Sequence, residues 1–103
     1  NIMDGELYDI WEGVTDLIQQ ELTEVSYNTW IINIEPIEID DNCFYISVAN
    51  DFIQNIVENR YVSLIEKALI IVTDMDYTVK VLVGVRENQS NPKEKEEESI
   101  SDS

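Results

Sequence analysis

The side chains that could do chemistry are few in this chain of 103 residues. There is no histidine, which removes the commonest general base and metal ligand. Cys43 is the only cysteine and lies in a strand-like run, where a small near-core residue is a better interpretation than a nucleophile. Asp40 with Asp41, and Asp74 with Asp76, fall in predicted turns, where solvated carboxylates are a better interpretation than a weak cation site. The sequence therefore predicts no enzyme, no metal site and no cofactor site in this chain.

The charge of the chain points away from nucleic acid. It has 22 acidic and 6 basic residues and a net charge of −16, which repels phosphate. The acidity fits either solubility alone or steering toward a basic partner protein. Weak binding of single-stranded nucleic acid by aromatic residues on a sheet stays open as an alternative. No long apolar run or basic-then-apolar leader occurs, so we expect a cytoplasmic protein without membrane contact.

Three helices are predicted from apolar residues that recur at three- and four-residue steps. The first covers residues 4–22 and contains Gly13, which costs about 1 kcal/mol in a helix and suggests a close approach by the backbone of another element. Thr23 caps a second, shorter helix that runs to about Asn33, and Asn50 caps a long third helix.

Three strands are predicted from alternating hydropathy. Residues 37–49 alternate around a turn at Asp41 and Asn42, which indicates a hairpin, and Pro36 suits an edge strand. Residues 77–85 carry the strongest strand signal. The order helix, helix, strand, strand, helix, strand predicts an α+β fold with a three-stranded sheet packed against helices. This order is similar to KH-type folds, although the GXXG loop is absent.

Two regions of the chain differ in composition. Residues 1–86 are predicted to form one N-terminal protein-interaction domain. Residues 87–103 hold one large apolar residue, Ile100, and cannot bury enough surface to offset the entropy lost on ordering. We therefore predict a disordered acidic linker there, the start of a flexible second domain.

Four segments of the chain together resemble one known family. They are residues 7–22; residues 26–31, Ser-Tyr-Asn-Thr-Trp-Ile; residues 49–52, Ala-Asn-Asp-Phe; and residues 60–65, Arg-Tyr-Val-Ser-Leu-Ile. In this order they are similar to domain I of DnaA, the bacterial chromosomal replication initiator, over about residues 6–86. The sequence departs from the family pattern at Ala49, which is usually Pro, at Tyr27, usually Phe, and at Ile56, often Trp.

The resemblance implies a protein-interaction module that self-associates as a weak dimer, helps to recruit the replicative helicase and docks small regulators of initiation. Leu7 and Trp11 would carry self-association. Trp11 also lies on the apolar stripe of the first helix, so core packing is the alternative for it. ATP would bind in a downstream domain outside this chain. A stand-alone adaptor or regulator with the same fold is the alternative function.

The resemblance also implies a surface that binds the helicase or the regulators. Its residues would be Ser26, Thr29, Trp30, Asn50 and Phe52. Trp30 lies on the apolar stripe of the second helix and is expected to be partly buried. Phe52 is the second residue after the Asn50 cap, so we expect it to be partly exposed as a contact hot spot, with core packing as the alternative.

Overall fold

The computed structural model describes residues 4–84 as an α+β fold of three helices and a three-stranded mixed sheet, which confirms the predicted fold class. Helix α1 is Asp4–Glu21; helix α2 consists of Glu24–Ser26 followed by the π-helical segment Tyr27–Ile31; strands β1 and β2 are Glu35–Asp40 and Cys43–Val48; helix α3 consists of Asp51–Ile56, the π-helical segment Val57–Tyr61 and Val62–Thr73; strand β3 is Thr78–Val83. The predicted linker, residues 87–103, lies outside the described residues.

Gly13 marks the place where α1 approaches α3. A Cβ atom at Gly13 would lie 3.2 Å and 3.3 Å from the two methyl groups of Val72. A close approach is therefore present, but a branched side chain of α3 makes it, and not the backbone that the sequence predicted. The absence of a side chain at Gly13 lets the two helices pack tightly, which offsets the poor helix propensity of glycine.

Side-chain caps begin both of the helices that follow α1. The Thr23 Oγ1 accepts a hydrogen bond from the Ser26 N–H at 3.1 Å, and the Asn50 Oδ1 accepts one from the Ile53 N–H at 2.9 Å. Both caps were predicted. Helix α3 ends at Asp74, whose φ of 63° is the left-handed conformation that stops many helices.

The hairpin turns where the sequence predicts it, with Asp41 in a left-handed conformation at φ 58°. A register shift between Pro36 and Glu38 interrupts the pairing of β1 with β2. The alternation predicted from residue 37 onward is present, because Ile37 and Ile39 are at least half-buried while Glu38 and Asp40 are exposed; the irregularity lies at Pro36, which is also buried. Strand β1 is an edge strand, as Pro36 predicts, and β2 lies at the centre of the sheet.

Strand β3 lies parallel to β2, and α3 supplies the crossover between them. One face of the sheet supports the core. On that face Phe44 of β2 is fully buried, with its ring 5.8 Å from Trp11 in a stacked arrangement and 6.2 Å from Tyr77 in an edge arrangement. This aromatic cluster fixes the position of α1 relative to the sheet.

Within residues 4–84, no helix combines the length and apolarity that crossing a bilayer requires.

Candidate functional site

The residues predicted for self-association lie inside the molecule. Leu7 is 4% exposed and Trp11 is 7% exposed, and the Trp11 ring stacks on Phe44. Core packing, the alternative considered for Trp11, therefore accounts for its side chain. Neither residue offers an accessible surface to a second copy in this conformation, so their role in self-association stays a prediction.

Two of the residues predicted for partner binding form an aromatic pair at the surface. The ring centroids of Trp30 and Phe52 are 5.9 Å apart and the ring planes are tilted by 52°. Phe52 is 66% exposed, and Trp30 is half-buried against the core. Both degrees of exposure agree with the sequence-based expectation. The pair joins α2 to the start of α3, two elements separated by the whole hairpin.

Local folding explains why this pair lies at the surface. Phe52 is the second residue of α3, so the Asn50 cap holds its backbone at the outer end of that helix. Trp30 lies in the π-helical part of α2, where the buried residues are Tyr27 and Ile31. Trp30 precedes Ile31 and is only half-buried, so one side of its indole is available to Phe52.

The other three predicted residues lie close to the aromatic pair in the chain. Ser26 is half-buried on α2, while Thr29 and Asn50 are exposed. The Thr29 hydroxyl donates to the Val25 carbonyl at 2.7 Å, within its own helix. The Thr29 hydroxyl therefore bonds within its own helix and Asn50 caps α3, while the aromatic rings provide the apolar area. Val25 on α2 is strongly exposed as well, although it was not among the residues predicted to bind a partner.

The surroundings of the aromatic pair are acidic. Glu24 and Asp51 lie in the first turns of α2 and α3, and both are exposed. In residues 4–84 the basic side chains are Arg60, Lys67 and Lys80, against 16 acidic ones. None of the three lies on α2 or in the first turns of α3. The site is therefore suited to a partner that offers an apolar group flanked by positive charge.

On the open face of the sheet, Tyr45 has a raised pKa. The electrostatic interaction with Cys43 is the largest of several effects that raise the pKa of Tyr45. Partial burial, a hydrogen bond with Cys43, and the charges of Asp40 and Glu38 add to it. Over residues 4–84, no three His, Cys, Asp or Glu side chains come together as a metal site would require.

An open groove, which the sequence did not predict, lies between α1 and α3. Leu17 and Leu64 line it, with Ile71, which is 70% exposed. The signal was present in the run Ala-Leu-Ile-Ile-Val at residues 68–72, which is too apolar for a helix that buries a single face.

The chain is similar to one family of known proteins. The family model for the DnaA N-terminal domain matches residues 8–70. Two proteins described as chromosomal replication initiator protein DnaA, from Thermoanaerobacter pseudethanolicus and another Thermoanaerobacter strain, are each 36% identical to the chain over 102 residues. The match covers 98% of this chain but 23% of each relative, so the chain spans less than a quarter of their length.

Proposed function

The chain belongs to the DnaA N-terminal domain family, and from this membership we propose that it is the protein-interaction module of a replication initiator. In this role it helps to recruit the replicative helicase and docks regulators of initiation. ATP binding and origin recognition belong to the rest of such an initiator. The chain itself brings other proteins together and carries out no catalysis.

The observation that carries this proposal is the exposed Trp30–Phe52 pair. An exposed aromatic ring costs solvation free energy unless a partner covers it, and aromatic residues dominate binding hot spots. Complete burial of an aromatic side chain removes roughly 150–250 Å² from water, about 4–6 kcal/mol at 25 cal/mol per Å². Phe52 is 66% exposed, so a partner can add about two thirds of this. Association itself costs roughly 4–15 kcal/mol in lost freedom. One aromatic pair therefore supports weak contacts, which become effective when several tethered copies act together.

The decisive experiment measures binding of the cognate replicative helicase to the wild-type chain and to Phe52→Ala. We expect the substitution to weaken binding by about 2 kcal/mol, roughly thirtyfold, because it removes an exposed hot-spot ring. Met75→Ala is the matched control, since Met75 is also an exposed large apolar residue but lies after the far end of α3. Equal affinity of wild type and Phe52→Ala would refute the assignment.

Trp30 offers a direct readout of the same event. The chain has two tryptophans, so Trp11→Phe leaves Trp30 as the single indole. Binding at the aromatic pair should then shift the tryptophan emission to shorter wavelength, because the half-exposed indole loses water. Emission that is unchanged at saturating helicase would place the contact elsewhere.

Self-association is the second part of the proposal, and because Leu7 and Trp11 are buried we place its contact on exposed residues of α1. Leu7 and Trp11 would act by holding α1 against the sheet, and exposed neighbours on α1 such as Tyr8 would meet the second copy. Sedimentation velocity over a range of concentrations tests this idea. Weak association that Tyr8→Ala reduces would support it, and a monomer at every concentration would refute it.

A further inference from the structure

We infer that the groove between α1 and α3 is a second docking surface, and that its occupant is a cationic amphipathic helix of another protein. The floor of the groove is apolar and closed, because Ile18 and Ala68 are buried in the core. Its sides are the half-buried Leu17 and Leu64 and the exposed Ile71. This surface is distinct from the Trp30–Phe52 pair and does not depend on the role proposed for that pair.

The shape of the groove fits a helix. Leu64 and Ile71 lie seven residues apart on α3, which is two turns or about 10 Å of helix axis. A helix that lies in such a groove presents apolar residues at positions i, i+3 or i+4, and i+7 on one face. The small side chain of Ala68 between Leu64 and Ile71 leaves room for one of these anchors.

Charge favours a basic partner over a second copy in this groove. The described part of the chain carries 16 acidic and three basic side chains, so repulsion keeps contacts between two copies weak. A helix with lysine or arginine on its outer face is attracted by the same field. In the groove itself Glu21 and Lys67 contribute one charge of each sign, so the attraction for a basic helix comes from the net charge of the described residues as a whole.

The experiment uses a synthetic probe with the 103-residue chain. The probe is a fluorescently labelled helical peptide with leucines on one face and lysines on the rest, and its binding is followed by anisotropy. A second peptide with the same lysines and glutamine in place of leucine controls for charge alone. We expect the leucine peptide to bind at one-to-one stoichiometry, and Ile71→Gln to weaken it about tenfold by removing an apolar contact.

Two further variants make the test specific. Ile32→Gln changes an exposed apolar residue outside the groove and should leave the affinity unchanged, as should Phe52→Ala. Equal binding of both peptides, stoichiometry above one, or loss of binding in Phe52→Ala would each overturn the inference. So would a wild-type dimer that Ile71→Gln dissociates, because the occupant would then be a second copy. Circular dichroism of Ile71→Gln confirms its folding, which the exposure of Ile71 leads us to expect.

Discussion

Trp11 contributes to stability through its stack on Phe44. We expect Trp11→Ala to lower the free energy of unfolding by about 3–5 kcal/mol, because it removes a large buried side chain and leaves a cavity. Urea denaturation measures this loss. Trp30→Ala is the matched control and should cost clearly less, because Trp30 is already half-exposed. A Trp11→Ala variant as stable as the wild type would show that Trp11 is no core residue.

Tyr45 should titrate late. The electrostatic interaction with Cys43, together with nearby carboxylates, raises the pKa of Tyr45 above the usual value near 10, so its neutral form is favoured in the folded chain. The stability that follows from this shift is present below the pKa of the unfolded chain and is lost as pH rises through the folded pKa. The phenolate absorbance of wild type minus Tyr45→Phe isolates this residue. We expect Cys43→Ser to move its titration to lower pH, and an unmoved titration would contradict the assigned cause.

Single residues also show how far the sequence could be interpreted. Trp11 and Trp30 both lie on apolar stripes, and the stripe alone does not say which indole reaches the core. Phe52 was placed more securely, because a helix cap fixes the residue two positions later at a helix end. The exposure of Ile71 was not predicted, because it depends on where α1 lies. The position of α1 is set by the packing of Gly13 against Val72.

At the scale of elements, β3 is an edge strand, and side chains of α3 form hydrogen bonds with two of its backbone groups. The Glu66 carboxylate accepts a hydrogen bond from the Val79 N–H at 2.9 Å, and the Gln54 side-chain amide donates to the Val81 carbonyl at 2.9 Å. Such edges otherwise invite pairing with another chain. The crossover helix therefore connects the two parallel strands and also protects the outer one.

Glu66 allows that protection to be measured. Glu66→Ala should lower the free energy of unfolding by about 1–3 kcal/mol, because the partly buried Val79 N–H loses its acceptor. Glu66→Gln should lose less, since the amide oxygen can still accept. Glu58→Ala on the exposed side of α3 serves as the control and should change stability by less than about 0.5 kcal/mol. If chemical denaturation gave Glu66→Ala and Glu58→Ala the same free energy of unfolding, the hydrogen bond to Val79 would not stabilise the fold.

Elements with local signals were predictable, whereas irregular ones were not. The caps at Thr23 and Asn50 and the turn at Asp41 depend on side chains adjacent in sequence, so all three were found. The register shift in β1 and the two π-helical segments arise when one extra residue is accommodated to keep buried residues facing the core. That choice depends on partners distant in sequence, which hydropathy alone does not reveal.

At the scale of the whole molecule, 16 of the 22 acidic residues lie in the described residues 4–84, so the excess of acidic residues is a property of this fold. This charge opposes binding to nucleic acid and favours basic partners at a distance. Tight binding of a single-stranded oligonucleotide at physiological salt would therefore contradict the proposed function. The same charge acts on folding, because the folded chain brings its carboxylates closer together than the unfolded chain does.

Salt should consequently stabilise this domain. Raising sodium chloride from about 10 mM to 150 mM shortens the screening length from roughly 30 Å to 8 Å and weakens the repulsion most in the compact state. We expect the free energy of unfolding at neutral pH to rise by on the order of 1 kcal/mol. A variant with Glu38→Gln and Asp41→Asn, both exposed positions, should be more stable at low salt and gain less from added salt.

The same salt should weaken binding of the cationic peptide, so folding and binding should respond in opposite directions. A stability that fell with salt would mean that ion pairs outweigh repulsion in the folded chain.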